Sequence, residues 1–328
     1  MKTEKLLKED SKEIINLWNN NISESFIYKK LDEQSYLKNF FREDENFKIV
    51  SFKAVINSKI VGFSSGVLYP SRNTFYITMI LVEKNYRYQG VGEKLYAELE
   101  KEWLKDESIL KVDLIFSNPV NLIWTVPRTN NHEHPNAPGV DFKSDAYLFF
   151  KNLGFRDLVY QNSYYRKISD YEYSENILNK IAKAKEENLT TDFYKYGEHI
   201  GLEELMTNLN SESWEKEILS HVREKKEKNT LLVALDGNKV IGFTGPIHRQ
   251  DNGRGYFAGI GIHSDYRGRG VGTLLFSKLC MEFKNIGVEY MTLFTGKSNP
   301  ARNIYERENF KIVRSWANMR KEVRRWKK

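Results

Sequence analysis

At 328 residues and 38.6 kDa the chain has room for two domains at about 150 residues each. Apolar residues make up 40% and charged residues 29%, with 19 Phe, 19 Tyr and 6 Trp, which excludes a disordered chain and supplies two cores. The single cysteine, Cys280, excludes intrachain disulfides and any site built from several thiolates, and the net charge of +7 is concentrated in residues 314–328, which carry +6 of it.

The N-terminus, MKTEKLLKED, is charged from Lys2 and has no apolar signal core, and no apolar run reaches the ~18 residues of a membrane span, so a cytoplasmic location without membrane attachment is expected. Helical patterns cover Ser11–Asn20 and Glu33–Phe41. A strand over Phe47–Val55, a turn at Asn57-Ser58 and a strand opening with Ile60-Val61-Gly62-Phe63-Ser64 read as a hairpin. A strand over Phe75–Val82 leads into Arg87-Tyr88-Gln89-Gly90-Val91-Gly92 and then a helix. A strand over Leu110–Ser117 precedes a proline-rich insertion over 118–141, with Pro119, Pro127, Pro135 and Pro138. A short helix ending at Asn152-Leu153-Gly154-Phe155 and a final strand complete this stretch.

After a Lys-, Glu- and Ala-rich helical connector, Ile177–Asn188, the order repeats. Helices over Leu202–Leu209 and Ser213–Lys226 precede a strand at Thr230–Leu235, a turn at Asp236-Gly237-Asn238 and Val240-Ile241-Gly242-Phe243-Thr244. A strand over Tyr256–Ile262 then meets Tyr266-Arg267-Gly268-Arg269-Gly270-Val271-Gly272. Both motif pairs stand 180 residues apart, so the chain is a duplication. In the second helix Gly272, Leu275, Phe276, Leu279, Cys280 and Phe283 share one face, which makes Cys280 a core residue. A strand over Tyr290–Thr295, a short helix ending at Glu308-Asn309-Phe310 and a last strand close the second copy.

A glycine turn between a strand and a helix lets backbone N–H groups approach a ligand, and the helix N-terminus adds partial positive charge. The combination suits a pyrophosphate. A dinucleotide fingerprint needs Gly-x-Gly-x-x-Gly in a parallel βαβ unit, and a P-loop needs Gly-Lys-Ser/Thr; neither is present. Gly62-Phe63-Ser64-Ser65-Gly66 fits a hydrolase pattern, but a strand runs through it where a sharp elbow is required. His132 and His134 lack a third ligand, so no metal is expected. The basic C-terminal segment reads as a solvated end, which argues against a nucleic-acid partner.

Arg267-Gly268-Arg269-Gly270-Val271-Gly272 and Arg87-Tyr88-Gln89-Gly90-Val91-Gly92 resemble the acyl-CoA motif of the GNAT acyltransferases. Asn299-Pro300-Ala301-Arg302-Asn303-Ile304-Tyr305 with Asn309-Phe310 resembles that family's second motif. The resemblance implies an α/β (α+β) chain of two GNAT-like domains, each a mixed, mostly antiparallel sheet flanked by helices. The domains are placed at 1–168 and 191–328, with the connector at 169–190. It implies acetyl-CoA, its pyrophosphate on Arg267, Gly268, Arg269, Gly270, Val271 and Gly272, its pantetheine near Ile262, and a contact from Asn299. Val82, Arg87, Gln89, Gly90 and Gly92 are the matching positions of the first copy. It implies direct attack by a primary amine, on a small molecule or a peptide N-terminus, with Tyr305 protonating the thiolate. His263, Glu306 and a water chain remain as bases, because residues 256–262 contain no carboxylate.

The copies differ where chemistry is expected. Counting back from Phe155 and Phe310 aligns Phe150 with Tyr305 and Ser144 with Asn299. On the acyl-facing strand Gly259 and Gly261 would leave room that Met79 and Leu81 fill. The second copy is therefore expected to be catalytic and the first degenerate. Trp124 and Arg128, on the stiff insertion, are candidates to reach across and line an acceptor pocket. The alternative function is a non-catalytic acyl-CoA binder or sensor.

Overall fold

The computed structural model describes residues 1–224 and 230–323. They form two compact units that interleave in sequence: Met1–Ser163 with Phe294–Lys297 and the residues from Val313 onward, and Tyr164–Leu293 with Ser298–Ile312.

The first unit opens with β1 (Lys2–Lys5), α1 (Ser11–Asn20) and α2 (Glu33–Phe40), then β2 (Lys48–Ile56), β3 (Lys59–Tyr69) and β4 (Thr74–Val82). These four strands pair antiparallel in the order β1-β2-β3-β4. Asn57 and Ser58 both take left-handed φ values, 49° and 61°, as a two-residue hairpin requires. Ser64 lies inside β3, fully buried, with its hydroxyl donating to Leu95 O (3.2 Å), so the hydrolase-like motif forms no elbow. Next, α3 (Val91–Leu104) buries Val91, Leu95, Tyr96, Leu99 and Trp103, one stripe at helical spacing, against the sheet. β5 (Lys111–Leu114) pairs parallel with β4 only over Thr74–Tyr76, after which the two strands diverge.

The insertion contains a two-residue ladder, β6 (Trp124–Thr125) with β7 (Glu133–His134), then β8 (Val140–Asp141). It is followed by α4 (Ala146–Asn152) and β9 (Arg156–Lys167). The last strand of the chain, β15 (Lys311–Glu322), pairs antiparallel with β5, Met319 opposite Leu114, and with β8, Trp316 opposite Asp141. The expectations of a strand closing the second copy and of a solvated basic end are corrected here. Arg320 donates to both oxygens of Asp113 (2.6 and 2.9 Å). Lys321 reaches the Tyr96 hydroxyl (2.8 Å), and the buried Arg314 stands 3.0 Å from Asp141 Oδ2 as an ion pair without hydrogen-bond alignment. Arg324, Arg325, Lys327 and Lys328 lie outside the described residues.

The second unit begins with α5 (Glu175–Glu186), β10 (Leu189–Phe193), α6 (Leu202–Leu209) and α7 (Glu212–Glu224). β11 (Leu232–Asp236), β12 (Lys239–Thr244) and β13 (Ile260–Ile262) extend β10 into an antiparallel sheet, β10-β11-β12-β13. The β11–β12 ladder is irregular at Ala234/Leu235, and β2–β3 is irregular at Ala54/Val55, the same place one repeat earlier. α8 (Val271–Asn285) buries Leu275, Phe276, Leu279, Cys280 and Phe283, the stripe expected. β14 (Tyr290–Gly296) neighbours β9, and its Tyr290 forms an isolated parallel bridge with Arg254, in the segment that leads to β13. α9 (Arg302–Arg307) follows. Each unit thus has a short parallel start and then a gap between the strand that enters the glycine turn and the strand that follows its helix.

Candidate functional site

The two glycine turns fold alike. Arg87 Nε donates to Val82 O and Arg267 Nε to Ile262 O, each at 3.1 Å. The Glu83 amide bonds Val61 O (2.8 Å) and the His263 amide bonds Ile241 O (2.9 Å). The motif arginine therefore straps the turn to the end of its strand, so its side chain positions the loop. Gly90 (φ 78°) and Gly270 (φ 86°) cap α3 and α8 in the left-handed region, and a Cβ at either would meet nothing within 4 Å. The open space in front of first-turn N–H groups that have no intrahelical acceptor fits a phosphate. Gly92 and Gly272 have another use: their Cβ atoms would stand 3.2 Å from Phe149 and 2.9 Å from Ile304, so they admit the following short helix.

The surroundings of the turns differ. In the second unit Arg269 reaches Glu187 Oε2 (3.3 Å) and covers the Tyr266 ring, Val271 is buried, and Gly268 is left-handed (φ 78°) over open space. In the first unit Tyr88, 87% exposed, holds the same left-handed region (φ 58°), and Gln89 bonds Asn85 O (2.9 Å).

Tyr305 is buried, its ring 5.0 Å from Phe276, 5.8 Å from Tyr164 and 6.2 Å from Phe257 in the segment that leads into β13. Burial, and then the Tyr164 phenol, raise its pKa, which keeps it a protonated donor. Among the described residues its hydroxyl has no hydrogen-bond partner. Asn299 is exposed just ahead of α9, with Oδ1 accepting from the Ala301 amide (2.9 Å). Of the two expected bases, Glu306 is engaged by the Tyr164 hydroxyl (2.9 Å) and Arg302 Nε (3.1 Å), and His263 Nδ1 accepts from the Asp265 amide (3.4 Å).

The room expected at Gly259 and Gly261 is taken by neighbours. A Cβ at Gly259 would lie 2.5 Å from the Trp214 ring, and one at Gly261 2.5 Å from Leu209 Cδ1. Gly259, at φ 152°, stands just before a late-starting strand, and only Ile260–Ile262 of the expected 256–262 is ladder. Helices α6 and α7 thus lean into the strand where the missing side chains let them.

Two features of this unit have no motif in the sequence. The buried Arg254 donates to Thr292 Oγ1 and O (both 2.7 Å) and Gln250 Oε1 (3.0 Å), and burial lowers its pKa to about 10. The Tyr256 hydroxyl donates to Glu217 Oε1 of α7 at 2.6 Å.

In the first unit a cavity of about 120 Å³ opens where β4 leaves β5. Met79 and Phe150 line its apolar side; Tyr28, Asn118, Asp141 and Ser144 line the other. Burial raises the Asp141 pKa against the Lys143 amide and Arg314. The Tyr28 pKa is raised by burial and then by the Asp141 charge. The insertion supplies Asn118 and Asp141, but not through the two residues singled out. Trp124 is fully buried, stacked on His134 (5.6 Å) and edge-on to Trp316 (5.3 Å), with Nε1 donating to Asn136 O (3.0 Å). Arg128 is exposed on a turn at φ 62°. Among the described residues no cluster of three or more His, Cys, Asp or Glu could hold a metal, and no helix is long and apolar enough to cross a membrane.

The model of the acetyltransferase (GNAT) family matches residues 12–122 and 198–310, one stretch per glycine turn. The chain belongs to the GNAT family. No curated protein matches it in sequence. Among solved structures, this GNAT chain is similar to the GCN5-related glucosamine N-acetyltransferase region of a fungal multi-domain GH3 β-N-acetylglucosaminidase. The identity is 18%, the TM-score 0.65, and the match covers 98% of this chain and 38% of that one. A GCN5-related N-acetyltransferase from Sphaerobacter thermophilus is similar at 14% identity, TM-score 0.63, covering 99% of this chain and 96% of that one. A tandem GNAT protein from the clavulanic acid biosynthesis pathway is similar at 12% identity, TM-score 0.59, covering 99% of each. These likenesses extend the shared fold over both GNAT units.

Proposed function

We propose that the protein transfers an acetyl group from acetyl-CoA to a primary amine by direct attack, in its second unit. Acetyl-CoA supplies the thioester. The chain holds the pyrophosphate at Gly268–Gly272, admits a neutral amine and protonates the leaving thiolate from Tyr305. The observation that carries this reading is the Tyr305 phenol: protonated, without a hydrogen-bond partner among the described residues, and with its ring 6.2 Å from that of Phe257, just ahead of β13. Its counterpart Phe150 has no proton to give.

A second reading places transfer in the first unit. The cavity beside Met79, with the Tyr28 hydroxyl on its wall, favours it.

The test is a thiol-release assay with acetyl-CoA and a panel of glucosamine, lysine, spermidine and a peptide with a free N-terminus. Amine-dependent release of coenzyme A that falls roughly 10²-fold or more in Tyr305→Phe supports the proposal. Tight coenzyme A binding with no release for any amine makes the protein a binder, and unchanged release in Tyr305→Phe returns that residue to the core.

A further inference from the structure

We infer that Tyr256 and Glu217 form a proton relay that takes the proton off the acceptor amine in the second unit, a role resting on the transfer reading above. The acyl strand has no carboxylate of its own, and Glu306 is already engaged by Tyr164 and Arg302. The fold brings a carboxylate from outside. Trp214 and Glu217 stand three residues apart on α7, hence on one face. Trp214 Nε1 bonds Ala258 O (3.2 Å) and fills the space at Gly259, while Glu217 takes the Tyr256 hydroxyl at 2.6 Å. The same helix thus seals the strand and supplies a base to it. A 2.6 Å O–H···O contact is in the range of a charge-assisted bond to an ionised carboxylate.

The relay leaves a lone pair of Tyr256 Oη free to accept from an incoming nitrogen, since the hydroxyl proton points at Glu217. In the step, the amine nitrogen bonds to the thioester carbonyl carbon and the C–S bond breaks. The thiolate takes the Tyr305 proton. The nitrogen gives its proton to Tyr256 Oη as the Tyr256 proton passes to Glu217 Oε1. Tyr256 touches the substrate; Glu217 acts through it. Among the described residues Arg254 and His248, whose ring centroid is 6.2 Å away, also face Tyr256. Burial and then the Glu217 bond push the Tyr256 phenol up to about 12, so at neutral pH it conveys protons without losing its own charge state.

Glu217→Gln keeps the size of the side chain and an oxygen for Tyr256, and both partners are half-buried, so the variant preserves the fold. With the fastest amine of the panel, Glu217→Gln is expected to lower kcat by ~10²–10⁴-fold and to flatten the acid limb of the kcat/KM–pH profile. Coenzyme A affinity by calorimetry should stay within about twofold of the parent, because removing one member of a relay leaves the phosphate turn untouched. Tyr256→Phe should match it, the double variant should be no slower than either single one, and His248→Gln should keep the limb. Parent-like kcat with an intact acid limb in Glu217→Gln overturns the relay. That outcome is distinct from failure of the underlying reading, in which Gly270→Glu would remain active or no amine would react.

Discussion

The two units repeat one backbone and differ in what faces the gap between the diverging strands. Their hairpins, ladder irregularities, arginine straps and left-handed helix caps recur 180 residues apart with hydrogen bonds that agree to 0.1 Å. Tyr88 shows how firmly that turn is held: it keeps the left-handed conformation that Gly268 adopts freely. At the gap the copies part. The first has Met79 and Phe150 on a cavity; the second has glycines covered by α6 and α7, a phenol at Tyr305 and a Tyr256–Glu217 pair. Duplication preserved the glycine turn and left the residues around the gap to diverge, so the turn reports the family, and the proposed difference in role between the units rests on the gap.

The largest effect that sharpens this comparison concerns the insertion. If Trp124 is core, Trp124→Ala should cost ~3–5 kcal/mol of stability in urea unfolding. A folded variant with only a raised acceptor KM would restore Trp124 to a substrate role.

The repeat, the helical stripes and the turns were legible because each depends on residues close in sequence: Asn57-Ser58 for the hairpin, Gly90 and Gly270 for the caps, Leu275 to Phe283 for the core face. The rest depends on distant partners. Residues 314–328 read as a solvated basic end because the acids that meet Arg314 and Arg320 lie far off in sequence; Asp113 is 207 positions from Arg320. Gly259 and Gly261 announce vacated volume without saying who fills it, and Trp214 and Leu209 fill it. Glu217 precedes Tyr256 by 39 positions with no motif to link them.

A middle-sized effect separates the strapping arginines from phosphate ligands. Arg267→Ala should loosen the turn and weaken coenzyme A binding roughly tenfold, and Arg267→Lys should not restore it, since Lys lacks the Nε that meets Ile262 O. Full recovery by Lys in calorimetry would make the charge, not the strap, the contribution.

The smallest effect lies in the first turn. Tyr88→Gly should relieve the left-handed strain and stabilise the protein, by ~1 kcal/mol at most, offset in part by the freedom glycine adds to the unfolded chain. A loss of stability in thermal unfolding would mean that the Tyr88 contact with Asp145 outweighs the strain.

The asymmetry itself is tested most directly by paired substitutions at Gly90 and Gly270. Both are left-handed caps with open space around the missing Cβ, so glutamate at each adds the same strain and places the same charge at the phosphate position. Turnover and coenzyme A calorimetry on Gly90→Glu and Gly270→Glu should show activity largely kept in the first and lost in the second, with the second unit's binding lost alongside it. An inactive Gly90→Glu beside an active Gly270→Glu would move the reaction to the first unit and its cavity.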